Sequence, residues 1–252
     1  MGAASHLGIN LREYDARIRT FIPRYEAMLD AAAAAVPLAD RSAKASRYTV
    51  GRNIVVDLGI GTGALAARVL RIDARARIVG IDSDEAMLAV ARRRIGARLT
   101  TVHGDFERVL RERRSAKAFA LRNAFERRDA AVALHVRAMT ASFALHHVPT
   151  RRRKAALYRH AFAALARGGV LASADYYPAA DARLQRIHRD AWRAHLERAY
   201  SRQQAAAYFT AWARDDMHFT LDEETRMLRA AGFSVEITWR VGGFAVVVAL
   251  KR

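Results

Sequence analysis

Between residues 53 and 174, short β-type apolar runs alternate with helical stretches, and this alternation constrains the fold more than any other feature of the chain. It is the pattern of a parallel sheet flanked by helices. Strands are predicted at 53–58 (NIVVDL), 77–82 (RIVGID), 98–102 (RLTTV), 138–143 (AMTASF) and 169–174 (GVLASA), with helices near 63–71, 84–95 and 150–166. In SDEAMLAVARRRI, Ser83 can cap the helix, Asp84 and Glu85 suit its positive start, and Met87, Val90, Ala91 and Ile95 share one face. The alternation then breaks. Helical stretches at 181–199, 201–214 and 221–231, the last stopped by Gly232, read as an inserted cap. FSVEITWRVGGFAVVVALKR follows as two β runs around Val241, Gly242 and Gly243, a terminal hairpin that makes one edge of the sheet antiparallel.

Two stretches fit less easily. Residues 107–128 hold eight basic residues against three acidic ones and read as an exposed, solvated helix. DAAVALHV, residues 129–136, competes with AMTASFAL for the fourth strand, and the later segment is preferred.

With 252 residues, 52% of them apolar, the chain can bury a sizeable core. It has no cysteine, which excludes disulfides, thiolate metal sites and a Cys nucleophile. The start, MGAASHLGINLREYD, lacks a signal-like pattern, and no apolar run approaches the roughly 18 residues a membrane span needs. A cytoplasmic protein without a membrane partner is expected. Net charge is +18, and of 43 basic residues only four are lysine. Coding bias accounts for arginine over lysine but not for the shortage of acids, so attraction to nucleic acid stays open.

The loop VVDLGIGTG places Gly59, Gly61 and Gly63 at the turn after the first strand, where an open α/β sheet binds its ligand. A phosphate-binding P-loop is excluded because Ala64 and Leu65 replace the Lys-Ser/Thr ending. GIGTGA does satisfy the dinucleotide form if Ala64 takes the third small position. Three acids argue otherwise. Asp57 ends the first strand where a pyrophosphate would be repelled and a ligand amino group attracted. Asp82 ends the second strand, suited to ribose hydroxyls, and Asp105 ends the third, suited to an adenine amine with Phe106 packed on the ring. A cation, a ribose and an adenine together describe S-adenosyl-L-methionine.

With these residues in hand, the chain resembles the class I S-adenosylmethionine-dependent methyltransferases, through VVDLGIGTG, VGIDSDEAMLAVARRR, TVHGDF, ASFALHHV, LARGGVLASAD and LRAAGFSVEITWR, in the family's order across residues 54–250. The resemblance implies an α/β, Rossmann-like seven-stranded and mostly parallel sheet with an antiparallel last strand, helices on both faces and a helical cap. It implies an N-terminal helical lid over residues 1–50 and a methyltransferase domain over 51–252 with the cap inserted at about 179–220. Carried over by position, Gly59, Gly61 and Gly63 pack against the cofactor, Asp57 and Gly59 face its amino acid end, and Asp82 binds the ribose. Ser83 or Asp84 lines its edge, Asp105 and Phe106 frame the adenine, and Ser142 lies near the methionyl portion. EYDARIRTFIPRYEAML resembles the family's lid, with Tyr14, Phe21 and Tyr25 closing over the methyl donor; the plainer reading is an amphipathic helix packed on the sheet. Ile60 and the basic segment before ASFALHHV depart from the family pattern.

Methyl transfer needs water excluded and a nucleophile held in line, with a general base optional. His147 is the first candidate for that base, whereas His146 reads as a loop-fixing residue. Adjacent histidines point apart on a strand and no third ligand is evident, so no metal site is expected. Asp175 either binds substrate or caps the loop before Pro178; His188, Trp192 and His195 share a helical face; Asp216 and His218 can hold the cap shut. The leading expectation is methyl transfer to a small-molecule acceptor. The alternatives are an RNA- or tRNA-modifying enzyme, using this cofactor or a carboxylated derivative, and a cofactor-binding regulator without transfer activity. The oligomeric state is left undetermined.

Overall fold

The computed structural model describes residues 11, 13–38, 54–112 and 136–252. DAAVALHV, except Val136, and the basic segment beyond Glu112 lie outside them. Seven strands form one sheet: β1 (Ile54–Leu58), β2 (Arg77–Asp82), β3 (Leu99–His103), β4 (Val136–Ser142), β5 (Leu165–Tyr176), β6 (Ser234–Val241) and β7 (Phe244–Leu250). Their order is β3-β2-β1-β4-β5-β7-β6. β7 runs antiparallel to both neighbours while the first five strands are parallel. The antiparallel strand therefore sits one place in from the edge, not at it, because the Gly242–Gly243 hairpin folds β6 back outside β7.

The helices are α1 (Tyr14–Phe21), α2 (Tyr25–Ala34), α3 (Ala64–Ile72), α4 (Glu85–Ile95), α5 (Phe106–Arg111), α6 (Arg151–Ala164), α7 (Ala182–Leu196), α8 (Arg202–Asp215) and α9 (Leu221–Ala230). Strand side chains alternate between two cores, as the period of two requires. Val55, Ala138, Val170, Ala172, Val246 and Val248 pack under α2 and α3; Val56, Met139, Leu171, Val247 and Ala249 pack under α6 and α9. Helices cover both faces. Arg68 of α3 pins α2 through ion pairs to Glu26 and to Asp30, the latter at 2.9 Å.

Local chemistry moves three boundaries. Asp84, not Ser83, caps α4, its carboxylate accepting from the backbone N–H of Ala86 and Met87. α6 ends at Ala164 because β5 begins at Leu165 and carries an irregularity between its Val136 and Ala138 pairings, with Gly168 at φ 74°. The predicted N-terminal lid stretch is two helices. Pro23 forbids helical geometry at Ile22, which is extended, and Arg24 turns the chain at φ 57°.

Candidate active site

The order β2-β1-β4 places the topological switch between β1 and β4, where open α/β sheets form their ligand crevice. The glycine loop lies there. Gly59, Gly61 and Gly63 all have positive φ, and a Cβ on Gly59 would stand 2.6 Å from the Cβ of Ala144, in the loop after β4. Gly61 has nothing within 4 Å of a built Cβ. Asp82 staples the loop to β2: its Oδ2 accepts from the Gly61 N–H at 2.8 Å and its Oδ1 from the Asp84 N–H at 2.9 Å. Asp57 is 2% exposed on the floor and accepts from the Thr140 hydroxyl at 2.8 Å. Asp105 caps α5, accepting the Arg108 N–H at 2.8 Å, and Phe106 opens that helix. Ile60 lines the crevice and its side chain also fills the space over Gly80.

Asp57, Gly59, Gly61, Asp82, Asp105 and Phe106 line one cavity of about 470 Å³, together with Tyr14, Tyr25, Ser83, Ser142, Phe143 and His147. A smaller apolar chamber of about 70 Å³ adjoins it, lined by Phe21, Tyr176, Trp192 and Trp212 and by His146, Asp216 and His218. Tyr14, Phe143 and His147 line both. Phe143 reaches the junction because its backbone adopts φ 50°, unusual for a residue with a bulky side chain.

The histidine pair occupies a one-turn 3₁₀ segment, Leu145–His147, rather than a strand. The two rings therefore converge, with centroids 4.2 Å apart, which removes the geometric ground for expecting them to diverge. His146 is buried and its Nδ1 lies 2.7 Å from Asp175 Oδ1. Asp216, just past α8, places Oδ1 at 3.6 Å from both His146 Nε2 and His147 Nδ1. The ring of His218 stacks on that of His146 at 5.1 Å.

Four similarities bear on this geometry. A family model described as a methyltransferase domain matches residues 55–135. The ribosomal RNA small subunit methyltransferase H of Sorangium cellulosum is 38% identical over 79 residues, covering 30% of this chain and 25% of that protein. Among solved structures, an O-methyltransferase family protein from Burkholderia thailandensis aligns with TM-score 0.53 at 15% identity, over 90% of this chain and 57% of its own. Human N-acetylserotonin methyltransferase in complex with SAM aligns with TM-score 0.50 at 14% identity, over 79% and 47%. Residues 55–135 match a methyltransferase-domain model, and the fold is that of the aligned methyltransferase structures. The chain spans about half the length of these solved structures and a quarter of the curated relative.

Burial sets the protonation of the cavity floor. It pushes Asp57 up to about 7, with the charge of Asp82 adding and the Thr140 hydrogen bond opposing. Asp82 is also raised by burial, against the pull of its backbone N–H partners. Tyr14 is pushed up to about 12 by burial and by the charges of Asp82 and Asp15, and Tyr25 rises for the same first reason. Both phenols keep their protons at neutral pH. In the small chamber, burial alone would lower His146, but the charge and hydrogen bond of Asp175 and the charge of Asp216 outweigh it and raise it. Asp175 is held well below the ordinary carboxylate range, because His146 overcomes the opposing effect of its burial. Burial and the neighbouring His146 bring His218 down to about 4, so it is neutral.

The structure thus gathers all the expected cofactor positions around one cavity, except Gly63, which caps α3 behind it and whose Cβ would meet Ile95. His147 lies at the junction and Tyr14 and Tyr25 on the wall. Asp175 reaches neither cavity directly and works through His146 and the Tyr176 N–H, at 2.7 and 2.8 Å. Phe21 belongs to the cap side, ringed by Tyr200, Tyr208 and Trp212. Sequence reasoning missed Thr140 and Phe143, and it gave His146 too small a part. The signal for His146 was available: a His-His pair one turn past a strand end, with an acid ending the next strand.

Proposed function

We propose that the domain methylates an oxygen of a compact aromatic small molecule, using S-adenosyl-L-methionine. The observation that carries this reading is the pair of adjoining chambers: one polar and lined by Asp57, Asp82 and Asp105, the other aromatic, joined at Tyr14, Phe143 and His147. The polar chamber fits the cofactor. Asp57 would meet its ammonium, Asp82 its ribose diol through the lone pairs left by Gly61 and Asp84, and Asp105 with Phe106 its adenine. The bound cofactor supplies an activated methyl group at a sulfonium, which an acceptor oxygen displaces in line.

The protein's own part is to orient the acceptor and take its proton. Trp192 and Trp212 lie nearly parallel, 11° apart with centroids 5.1 Å apart, and with Phe21 and Tyr176 they form the apolar wall. His146 is the group to receive the proton at Nε2, since Asp175 holds Nδ1–H and so fixes the tautomer. Tyr14 and His147 hold the acceptor oxygen at the junction. Three contacts draw α1 across the chambers: Trp192 Nε1–H donates to the Phe21 carbonyl at 2.7 Å, Thr20 and Tyr200 hydroxyls lie 2.6 Å apart, and Thr62 donates to Asp15 at 2.6 Å. A chamber of about 70 Å³ is narrower than an aromatic ring with its surroundings requires, so acceptor entry calls for these contacts to part.

An RNA acceptor is the second reading. It draws support from the +18 charge and the partial match to a ribosomal RNA methyltransferase. Incubation with labelled S-adenosylmethionine and either a panel of phenols and hydroxylated heteroaromatics or total RNA tests both. S-adenosylhomocysteine released with the panel and not with RNA supports the small-molecule reading; transfer to RNA alone overturns it.

A further inference from the structure

We infer that His146, His147 and Asp216 form a binding site for one divalent transition-metal ion, opening into the aromatic chamber. The donor atoms are already at coordination spacing. Nε2 of His146 and Nδ1 of His147 each lie 3.6 Å from Asp216 Oδ1, and all three atoms lie within 4.8 Å of one another. Ligands about 2.1 Å from a tetrahedral zinc ion stand about 3.4 Å apart, so the closure required at Asp216 is a few tenths of an ångström.

The support behind these atoms is that of a metal site. Asp175 takes the Nδ1–H of His146 at 2.7 Å, which leaves the Nε2 lone pair directed at Asp216 and raises its basicity. The Met217 N–H donates to the His146 carbonyl at 2.9 Å and thereby fixes the approach of Asp216 to the histidine turn. His146 and Asp216 side chains are each 9% exposed, whereas His147 is 39% exposed and forms the open side. Entry is through the chamber, whose other walls, apart from His218, are aromatic and aliphatic.

A second grouping, His146 with Asp175 and His218, also lies within reach, but it would need the Nδ1 position already committed to Asp175. The nearby ammonium of Lys154 is paired with Glu224. Two imidazoles and one carboxylate, with no thiolate anywhere in the chain, suit Zn²⁺, Co²⁺, Ni²⁺ or Fe²⁺ better than Cu⁺, Ca²⁺ or Mg²⁺. The remaining coordination positions face the chamber, open to water or an acceptor oxygen. An ion there takes the same Nε2 lone pair that receives the proton in the proposed transfer, so metal and proton compete for His146.

The test uses the full chain, dialysed against chelator, with neither methyl donor nor acceptor present, so that its result is independent of the transfer reaction. Titration with Co²⁺ is expected to give one equivalent bound, with a visible d–d band that Zn²⁺ abolishes by displacement. His147→Ala, at a half-exposed position that folding tolerates, should weaken binding at least about tenfold, as should Asp216→Asn. Asp175→Asn should weaken it about 10- to 100-fold through the loss of support to His146. His160→Ala, on α6 outside the cluster, should change nothing. Zn²⁺ should raise the melting temperature of the parent chain and leave that of Asp216→Asn unmoved. No stoichiometric Co²⁺ band, or a band that survives both His147→Ala and Asp216→Asn, overturns the inference and leaves a hydrogen-bonded cluster only.

Discussion

The Thr140 hydroxyl donates to Asp57 Oδ1 at 2.8 Å, beneath a glycine loop that leaves the carboxyl almost no contact with water. That single hydrogen bond does not offset burial, and Asp57 is pushed up to about 7. A cation placed against it would bring the value down again, so binding of the cofactor's ammonium releases a proton. Affinity for S-adenosylhomocysteine should therefore rise about tenfold from pH 6 to pH 8, and then flatten as the ligand's own amine loses its charge. Stability of the unliganded chain has the opposite sign. A carboxyl whose folded value is raised stabilises below its unfolded value near 4 and loses that contribution as pH climbs through 7. Calorimetry across this range checks the first trend and thermal melts the second; Asp57→Asn should flatten both.

Gly59 and Gly61 separate packing from ligand approach. Ala at 59 would clash with Ala144 at 2.6 Å as well as strain the backbone at φ 65°. Ala at 61 meets open space and carries only the strain of φ 54°, about 1–2 kcal/mol. Gly61→Ala should fold with a modestly lowered melting temperature yet bind cofactor at least tenfold more weakly, because its methyl group enters the cavity. Gly59→Ala should lose more stability than Gly61→Ala in the same melts.

The parallel strands, the glycine turn and the three acids were legible because each is local: an apolar run, a glycine forced into positive φ, an acid ending a strand. The position of β7 inside the sheet was not, since a hairpin pattern does not say which of its strands pairs inward. Pro23 was visible in FIPRYE, but its consequence for the lid, two helices packed at different places, depends on where Tyr25 and Met28 find a core. Asp175, ending the next strand, was a legible partner for His146, but Asp216 reaches it from 70 residues further along the chain, a convergence no spacing rule reports.

Lys154 and Glu224 form a buried ion pair between α6 and α9, each 2% exposed, and Tyr158 donates a further hydrogen bond to Glu224 at 2.5 Å. Lys154→Met leaves the carboxylate buried beside a phenol alone and should cost about 3–5 kcal/mol. Lys154→Met combined with Glu224→Gln should recover part of that loss. Urea unfolding of the single and double variants measures the difference; equal stability of the Lys154→Met chain and the parent would show that the pair is replaceable.

His146 and His147 should differ in kind. His146→Gln removes the proton acceptor and should lower kcat by about 10²- to 10⁴-fold, with cofactor affinity by calorimetry unchanged. Asp175→Asn should act in the same direction, because the amide stabilises the wrong imidazole tautomer. His147→Ala should act mainly on KM for the acceptor, as a junction residue would. Initial rates of S-adenosylhomocysteine release, in chelator-treated buffer, separate these. A loss of kcat at His147 larger than at His146 would return the base role to His147.

The link from α1 to the glycine loop predicts how the site opens. Asp15 accepts from Thr62, within GIGTG, and pairs with Arg94 of α4, so one carboxylate ties the N-terminal helix to the glycine loop and to α4. Trp192 ties the far end of the same helix to the cap. Asp15→Ala should loosen the cofactor side, raising the dissociation rate of S-adenosylhomocysteine severalfold with little change in its association rate. Trp192→Phe keeps the aromatic wall but loses the N–H to the Phe21 carbonyl, and should act on acceptor KM while leaving cofactor dissociation near that of the parent. Stopped-flow fluorescence, with Trp212 as reporter in the second variant, resolves the two ends. Identical effects of both substitutions on cofactor release would mean that α1 moves as one rigid piece rather than opening from either side.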